Sequence, residues 1–483
     1  MNSQTTRRPE QKRPARSSTS GLKSYRKQTA HVSMRRDGKP LIFGWGGHLS
    51  HYEKNQLQRR ATFALVALIG LVILAVIIGF FVNINIITPN LPITSVNGQS
   101  IPQSQYRKMV AVQTQFALNQ LYGPNGYSAI QAELSKQTTT QQTAVTTAQK
   151  KVTDLTGQIK ATTDATKKAD LTKQLTAAQT DLKNQQQKLA GLSQESQTLT
   201  SSTIPYAQQN FTQSQIGNES ATWLQDDVLI SQWAAKQSGS IQAKINPTDK
   251  QVNDTLNTFK KNLPKVGSHA TAYDKYLSKD GISNDDVVAM MTITQRRVNA
   301  QNYLATQVVS PTRQIHARSM TIATQADADT VLQKLKSGGD FAALAKSKSV
   351  DNSTNTKGGD LGWIARGQYL QTDQSAIVED WLFDSARHVN ELSPVLKENG
   401  AFRIVQVLGI DPSRVVDANT LNTLKSNALQ NWLTIQRAQS GVNISDIDQN
   451  KLLDPGNLPS DLPAGAPGEE SGASGLPSGL PGQ

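Results

Sequence analysis

The sequence predicts an α+β chain in three parts. One N-terminal transmembrane helix comes first. An all-α domain interrupted by an antiparallel helical hairpin follows, and then a small α/β domain with a mostly antiparallel sheet. Three observations carry this. Ala61 to Val82 runs without a charged residue. Between residues 92 and 310 apolar residues recur at spacings of three and four, the period of one helix face. From Gln314 the pattern becomes strand, helix, loop, strand.

Composition narrows the chemistry before any motif is weighed. The chain has 483 residues and no cysteine, which removes disulfides, thiolate metal sites and cysteine nucleophiles. Its six histidines are scattered without metal-ligand spacing, and no metal or other cofactor is expected. The formal charge is +13, but residues 1–60 hold fourteen Lys and Arg against Glu10, Asp37 and Glu53. This tail therefore carries +11 of the total, and the remainder is close to neutral.

The apolar run 61–82 is long enough for a bilayer core of about 30 Å at about 1.5 Å per residue. Arg59 and Arg60 precede it, and the excess of positive charge predicts a cytoplasmic N-terminus and an extracytoplasmic remainder. A cleaved signal peptide would have a shorter apolar region and a small-residue cleavage site, and neither is present. The basic tail 1–60 reads as a largely disordered segment beside anionic lipid, with no nucleic-acid partner. The aromatic and glycine run Leu41–Tyr52 is expected at the membrane interface.

ITSVNGQSI predicts a hairpin around Asn97-Gly98, a dipeptide that tolerates the positive φ of a tight turn. A helix with Tyr106, Met109, Val110, Val112 and Phe116 on one side follows. In 128–200 two series, Val145 to Ile159 and Leu171 to Leu192, flank the polar hinge Ala161–Asp170, which predicts a coiled-coil hairpin. It serves either as a spacer or as an arm that binds clients or a partner protein. Helical period resumes at Ala221–Lys236. Asn246-Pro247-Thr248-Asp249 starts a further helix, with the proline in its first turn, and Gly281–Val308 is another. Residues 92–127 and 201–310 are expected to form one helical domain, 411–454 a C-terminal helical segment, and 455–483 a disordered Pro/Gly/Ser tail.

Within 314–410, IHARSMTI and FRIVQVLGI alternate as strands, and Gly338-Gly339-Asp340 ends one helix and caps the next. The segments GGDFAALAKSKSVD (338–351), KGGDLGWIARGQYL (357–370), IVEDWLF (377–383), LSPVL (392–396) and GAFRIVQV (400–407) occur in that order. Together they resemble the parvulin-type (PpiC) peptidyl-prolyl cis-trans isomerases. VNGQSIPQSQY and WLQDDVLISQWAAK, on either side of the hairpin, resemble the N-terminal helical module of SurA/PrsA-type foldases.

The parvulin resemblance implies a tight loop at Gly358 and Gly359, with Trp363 packed beneath the substrate site. The family's acid falls on Asp351. Its apolar substrate pocket falls on Leu361, Leu370 and Phe383, with Val378 where an aromatic is expected. Its two active-centre histidines fall on Ser319 and Arg403. His316 lies three residues from Ser319, on the opposite face of a strand, and does not replace it. The resemblance implies an isomerase acting on unfolded or nascent secreted polypeptides. Loss of both histidines leaves open a non-catalytic holdase or an envelope scaffold. The loop TIATQADADT has no Lys/Arg cluster, which argues against phosphoserine-proline specificity.

Overall fold

The computed structural model describes residues 51–371, 375–398 and 400–458. The expectations for most of the basic tail, including nearly all of the run 41–52, and for almost the whole of the 455–483 tail lie outside the described residues. Residues up to Phe80 and residues from Phe81 onward form two separate units. The first is built on helix α1 (His51–Val82), whose apolar side chains are exposed along its length. It is long and apolar enough to cross a membrane.

The second unit opens with a two-stranded hairpin, β1 (Pro92–Val96) and β2 (Gln99–Pro102). Asn97 and Gly98 adopt φ of 50° and 80°, the pair of positive angles that lets two strands reverse through two residues. Four helices then build a core: α2 (Gln103–Tyr122), α5 (Gln213–Ala235), α6 (Asp249–Lys261) and α7 (Asn284–Gln307). Tyr106, Met109, Leu224, Phe259 and Met291 are among its buried residues. Helix α6 begins one residue after its cap: Thr248 and Gln251 form a capping box, so Pro247 precedes the helix instead of sitting in its first turn.

Two longer helices, α3 (Tyr127–Ala161) and α4 (Ala165–Thr198), interrupt this body. The link between them is shorter than the polar stretch suggested, because Asp164 accepts the N–H groups of Thr166 and Lys167 and starts α4 at once. Leu155 and Leu171 share a buried cluster near the link, while Gln141 meets Gln185 farther out, so the two helices run antiparallel. Val145, Leu182, Leu189 and Leu192 stay half-buried, as a thin stripe requires.

Residues 312–414 carry a sheet of order β4-β3-β6-β5, every pair antiparallel. Its strands are β3 (Thr312–Ile322), β4 (Asp360–Ala365), β5 (Leu396–Glu398) and β6 (Ala401–Arg414). Helices α8 (Gln325–Lys336) and α9 (Phe341–Lys348) pack on the face that holds Met320, Ile322 and Ile404. Helix α10 (Ala376–Phe383) covers the other face, with Ile315, Ala317, Val405 and Val407.

The segment after β6 is helical. Helices α11 (Ala418–Ser426), α12 (Ala428–Ala438) and α13 (Gln449–Leu452) return to the helical body. Leu429, Leu433 and Leu452 belong to its core, and Val96 pairs with Ile444. Arg437 of α12 donates to Asp226 of α5 at 2.7 Å, and Arg297 of α7 donates to the same carboxylate at 2.6 Å.

Candidate functional site

The alternation of β3 decides which side chains share a face. Odd-numbered Ile315, Ala317, Ser319 and Thr321 look toward α10, and even-numbered positions look toward α8 and α9. His316 is on the second face, as its offset from Ser319 predicts. It sits 2.9 Å from Asp360 and against the Trp363 ring.

The loop after α9 folds onto the end of β3. Val350 N–H donates to the Thr321 carbonyl at 2.8 Å, and Ser349 Oγ accepts from Thr321 N–H at 3.1 Å. Farther along, Ser319 N–H donates to the Gly359 carbonyl at 2.8 Å. Gly359 has φ +82°, and a Cβ there would stand 2.2 Å from the Ser319 carbonyl oxygen, so no side chain fits. The paired glycines thus let the loop touch the central strand. Leu361 then falls at an irregularity of register, since Ala317 pairs with Gly362 but Arg318 pairs with Asp360. The extra residue breaks the pleat and re-aims the side chain, a use of bulges common beside active sites.

These contacts gather the polar candidates at one end of one face. Asp351 accepts from Ser353 N–H and Oγ and from Thr354 Oγ1. Arg403 lies opposite both Thr321 and Leu396 on β6. Burial pushes the Asp351 carboxyl up, but the Ser353 and Thr354 hydrogen bonds and the charge of Arg403 outweigh it, and it lies below the usual carboxylate range. Asp351 is therefore an ionised acceptor at neutral pH and not a proton donor. Ser319 is 3 % exposed, and its Oγ has no hydrogen-bond partner among the described residues.

The apolar candidates divide. Leu361, Val378 and Phe383 join one cluster with Tyr369 and Leu396. Leu370 does not. It packs with Ala376 and Ile435 of α12, while its neighbour Tyr369 joins the cluster of Leu361 and Val378. Val378 is 0 % and Phe383 7 % exposed, so both are packed side chains, and Leu361 alone of the four keeps a partly open surface. Two open clefts lie elsewhere. One, of about 650 Å³, is bordered by Lys334, Gly338 and Leu344, and one, of about 430 Å³, by Ile130, Leu134 and Leu199.

Sequence reasoning passed over Glu379, within IVEDWLF. It has no exposed surface, and burial pushes its carboxyl up to about 7 although the Gly367 N–H and Arg366 pull it down. The available signal was its place between Val378 and Leu382, inside the buried stripe of α10. No nucleophile–base pair is assembled here, and no group of three or more potential metal ligands occurs among the described residues. The site offers hydroxyls, a guanidinium, a fixed carboxylate and an adjoining apolar cluster.

Comparison with known proteins assigns this part of the chain. The PPIC-type PPIASE domain matches residues 288–410. The periplasmic chaperone PpiD of Escherichia coli strain K12 is 38 % identical over 93 residues, 19 % of this chain and 14 % of the relative. The foldase protein PrsA of Exiguobacterium sibiricum is 24 % identical over 169 residues, 33 % of this chain and 52 % of the relative. The chaperone SurA of Nitrosococcus oceani is 28 % identical over 158 residues, 30 % of this chain and 35 % of the relative. The chain thus spans about half or less of the length of these relatives. Residues 288–410 therefore match a parvulin-type (PPIC-type) peptidyl-prolyl isomerase domain, and parts of the chain are similar to PpiD, PrsA and SurA.

Proposed function

We propose that the protein is a membrane-anchored folding factor whose parvulin domain turns X-Pro bonds of unfolded secreted or envelope polypeptides. In this reading residues 61–82 lie in the bilayer, the N-terminus is cytoplasmic and the rest is extracytoplasmic. The helical body, residues 92–127 and 201–310 with the returning C-terminal segment, presents the domain. The hairpin 128–200 is a coiled-coil arm for a client or partner protein.

Rotation about an X-Pro bond faces a barrier of about 18–20 kcal/mol with little difference between its end states. The reaction needs no nucleophile and no net proton transfer. It needs a site that prefers the twisted amide, in which carbonyl and nitrogen lose conjugation. Leu361 and the cluster behind it would hold the prolyl ring. Arg403, kept near Asp351, would donate to the substrate backbone, and its preorganised charge would favour the twisted form. The observation that carries the reading is this convergence: bulged Leu361, Ser319, Asp351 and Arg403 on one face of a domain matched over 288–410.

A protease-coupled assay on Ala-X-Pro-Phe peptides tests it. Wild type should exceed the uncatalysed rate, and Arg403→Ala should lose about tenfold or more of that excess. Wild-type turnover at background, restored by Ser319→His with Arg403→His, would defeat the isomerase reading. It would favour a second one, binding without turnover, for which the packed Val378 and Phe383 speak. Suppression of client aggregation would then persist without isomerisation.

A further inference from the structure

Glu379 sits on α10 between the proposed prolyl site and the C-terminal helix α12. One carboxylate oxygen, Oε1, accepts the N–H of Gly367, and the backbone N–H of Tyr369 also reaches the carboxylate. The other, Oε2, has no partner among the described residues. Both donors belong to the turn 366–369, which leaves β4 and delivers Tyr369 into the cluster with Leu361 and Val378. The far side of this turn is pressed on α12. Gly367 adopts φ +89°, and a Cβ there would stand 2.7 Å from Asn431 Nδ2. Leu370, the next residue, packs with Ile435 of the same helix.

We propose that Glu379 is a positioning residue for the prolyl site: its carboxylate holds the turn 366–369 and so fixes Tyr369 beside Leu361 and Val378. This rests on the reading of that cluster as the proline-binding wall. One geometric point favours it over a purely structural role. The carboxylate is aimed at backbone donors of the very turn that carries a wall residue, and not at another part of the core. Its charged neighbours are Arg366 and Asp380. From α12 the groups that meet this turn and its flank are Asn431 and Ile435, both uncharged.

The test uses the full chain in detergent micelles, with Glu379→Ala and Glu379→Gln. Two readouts are taken on each: KM and kcat on Ala-X-Pro-Phe peptides, and hydrogen exchange at the Gly367 and Tyr369 amides. Glu379→Ala should raise KM by about fivefold while kcat changes less than about twofold, because binding is disturbed more than the twisted state. Exchange at the two amides should accelerate, and Glu379→Gln, which retains an acceptor, should restore both values. Unchanged exchange in Glu379→Ala overturns the proposal whether or not the protein is active. So does faster exchange with an unaltered KM, since the hold would then be structural only. A wild type without turnover or peptide binding instead defeats the isomerase reading, and exchange still reports on the hold.

Discussion

Replacing Asp226 by alanine should unfasten the C-terminal segment from the helical body. Asp226 is 3 % exposed and accepts from Arg297 at 2.6 Å and Arg437 at 2.7 Å. Arg437 also donates to Gln225 at 3.0 Å, and Gln225 donates to Thr94 at 2.7 Å. One carboxylate therefore joins α5, α7 and α12, and its partner glutamine reaches β1. The Arg297 side chain is 13 % exposed and the Arg437 side chain 30 %. Removing the acid strands a mostly buried guanidinium, which costs about 3–5 kcal/mol. Arg437→Ala leaves Asp226 paired with Arg297 and should cost about 1–2 kcal/mol. The double variant should cost less than the two singles together by about 1–3 kcal/mol, because Arg437 without Asp226 is itself a liability. The chain is not one cooperative unit, so the measurement is hydrogen exchange of amides in α5 and α12 under graded urea. Single effects that add to the double within about 0.5 kcal/mol would refute a shared network.

Three further outcomes follow from the geometry. The Glu379 carboxyl is raised from 4.5 to about 7, so between these values the folded state binds more protons than the unfolded one and stability falls as pH rises. Glu379→Gln should therefore gain up to about 3 kcal/mol over wild type above pH 7 and nothing near pH 4.5, a difference that thermal melts across pH would find flat if burial were not the cause. Gly359→Ala places a Cβ 2.2 Å from a backbone oxygen at φ +82° and should cost at least about 2 kcal/mol, and an unshifted melting temperature for the sheet would contradict the close approach. Replacing 128–200 by a short linker should leave melting of the helical body unchanged, because its core cluster takes no residue from that range, and loss of the body's cooperative melt would show otherwise.

The parts of the fold that depend on local pattern were legible in the sequence. The charge-free run is a property of consecutive residues, as is the Asn97-Gly98 turn, and the hairpin follows from a period of three to four. The sheet was legible because β3 and β6 each alternate and the segments between them match a known order. What stayed hidden depends on partners distant in sequence. Local pattern does not say that Leu429 and Leu433 join the same core as Tyr106 and Leu224. Leu370 and Tyr369 are both bulky apolar neighbours, and local pattern does not say that Tyr369 joins the cluster with Val378 while Leu370 packs with Ile435. IVEDWLF shows an apolar stripe, but the near-complete burial of Val378 and Phe383 comes from the packing of α10 on the sheet. Asp351 and Arg403 were placed by resemblance, and the register of β6 against β3 gives their proximity a physical cause.

The return of residues 418–452 to the body has a consequence for biosynthesis. Arm and sheet each own a private interior and can close as soon as their residues emerge. The body cannot, because part of its interior arrives last, after the sheet has already been translated. For that interval the sheet hangs from an unfinished support, so closure of the body waits until residues 418–452 have emerged.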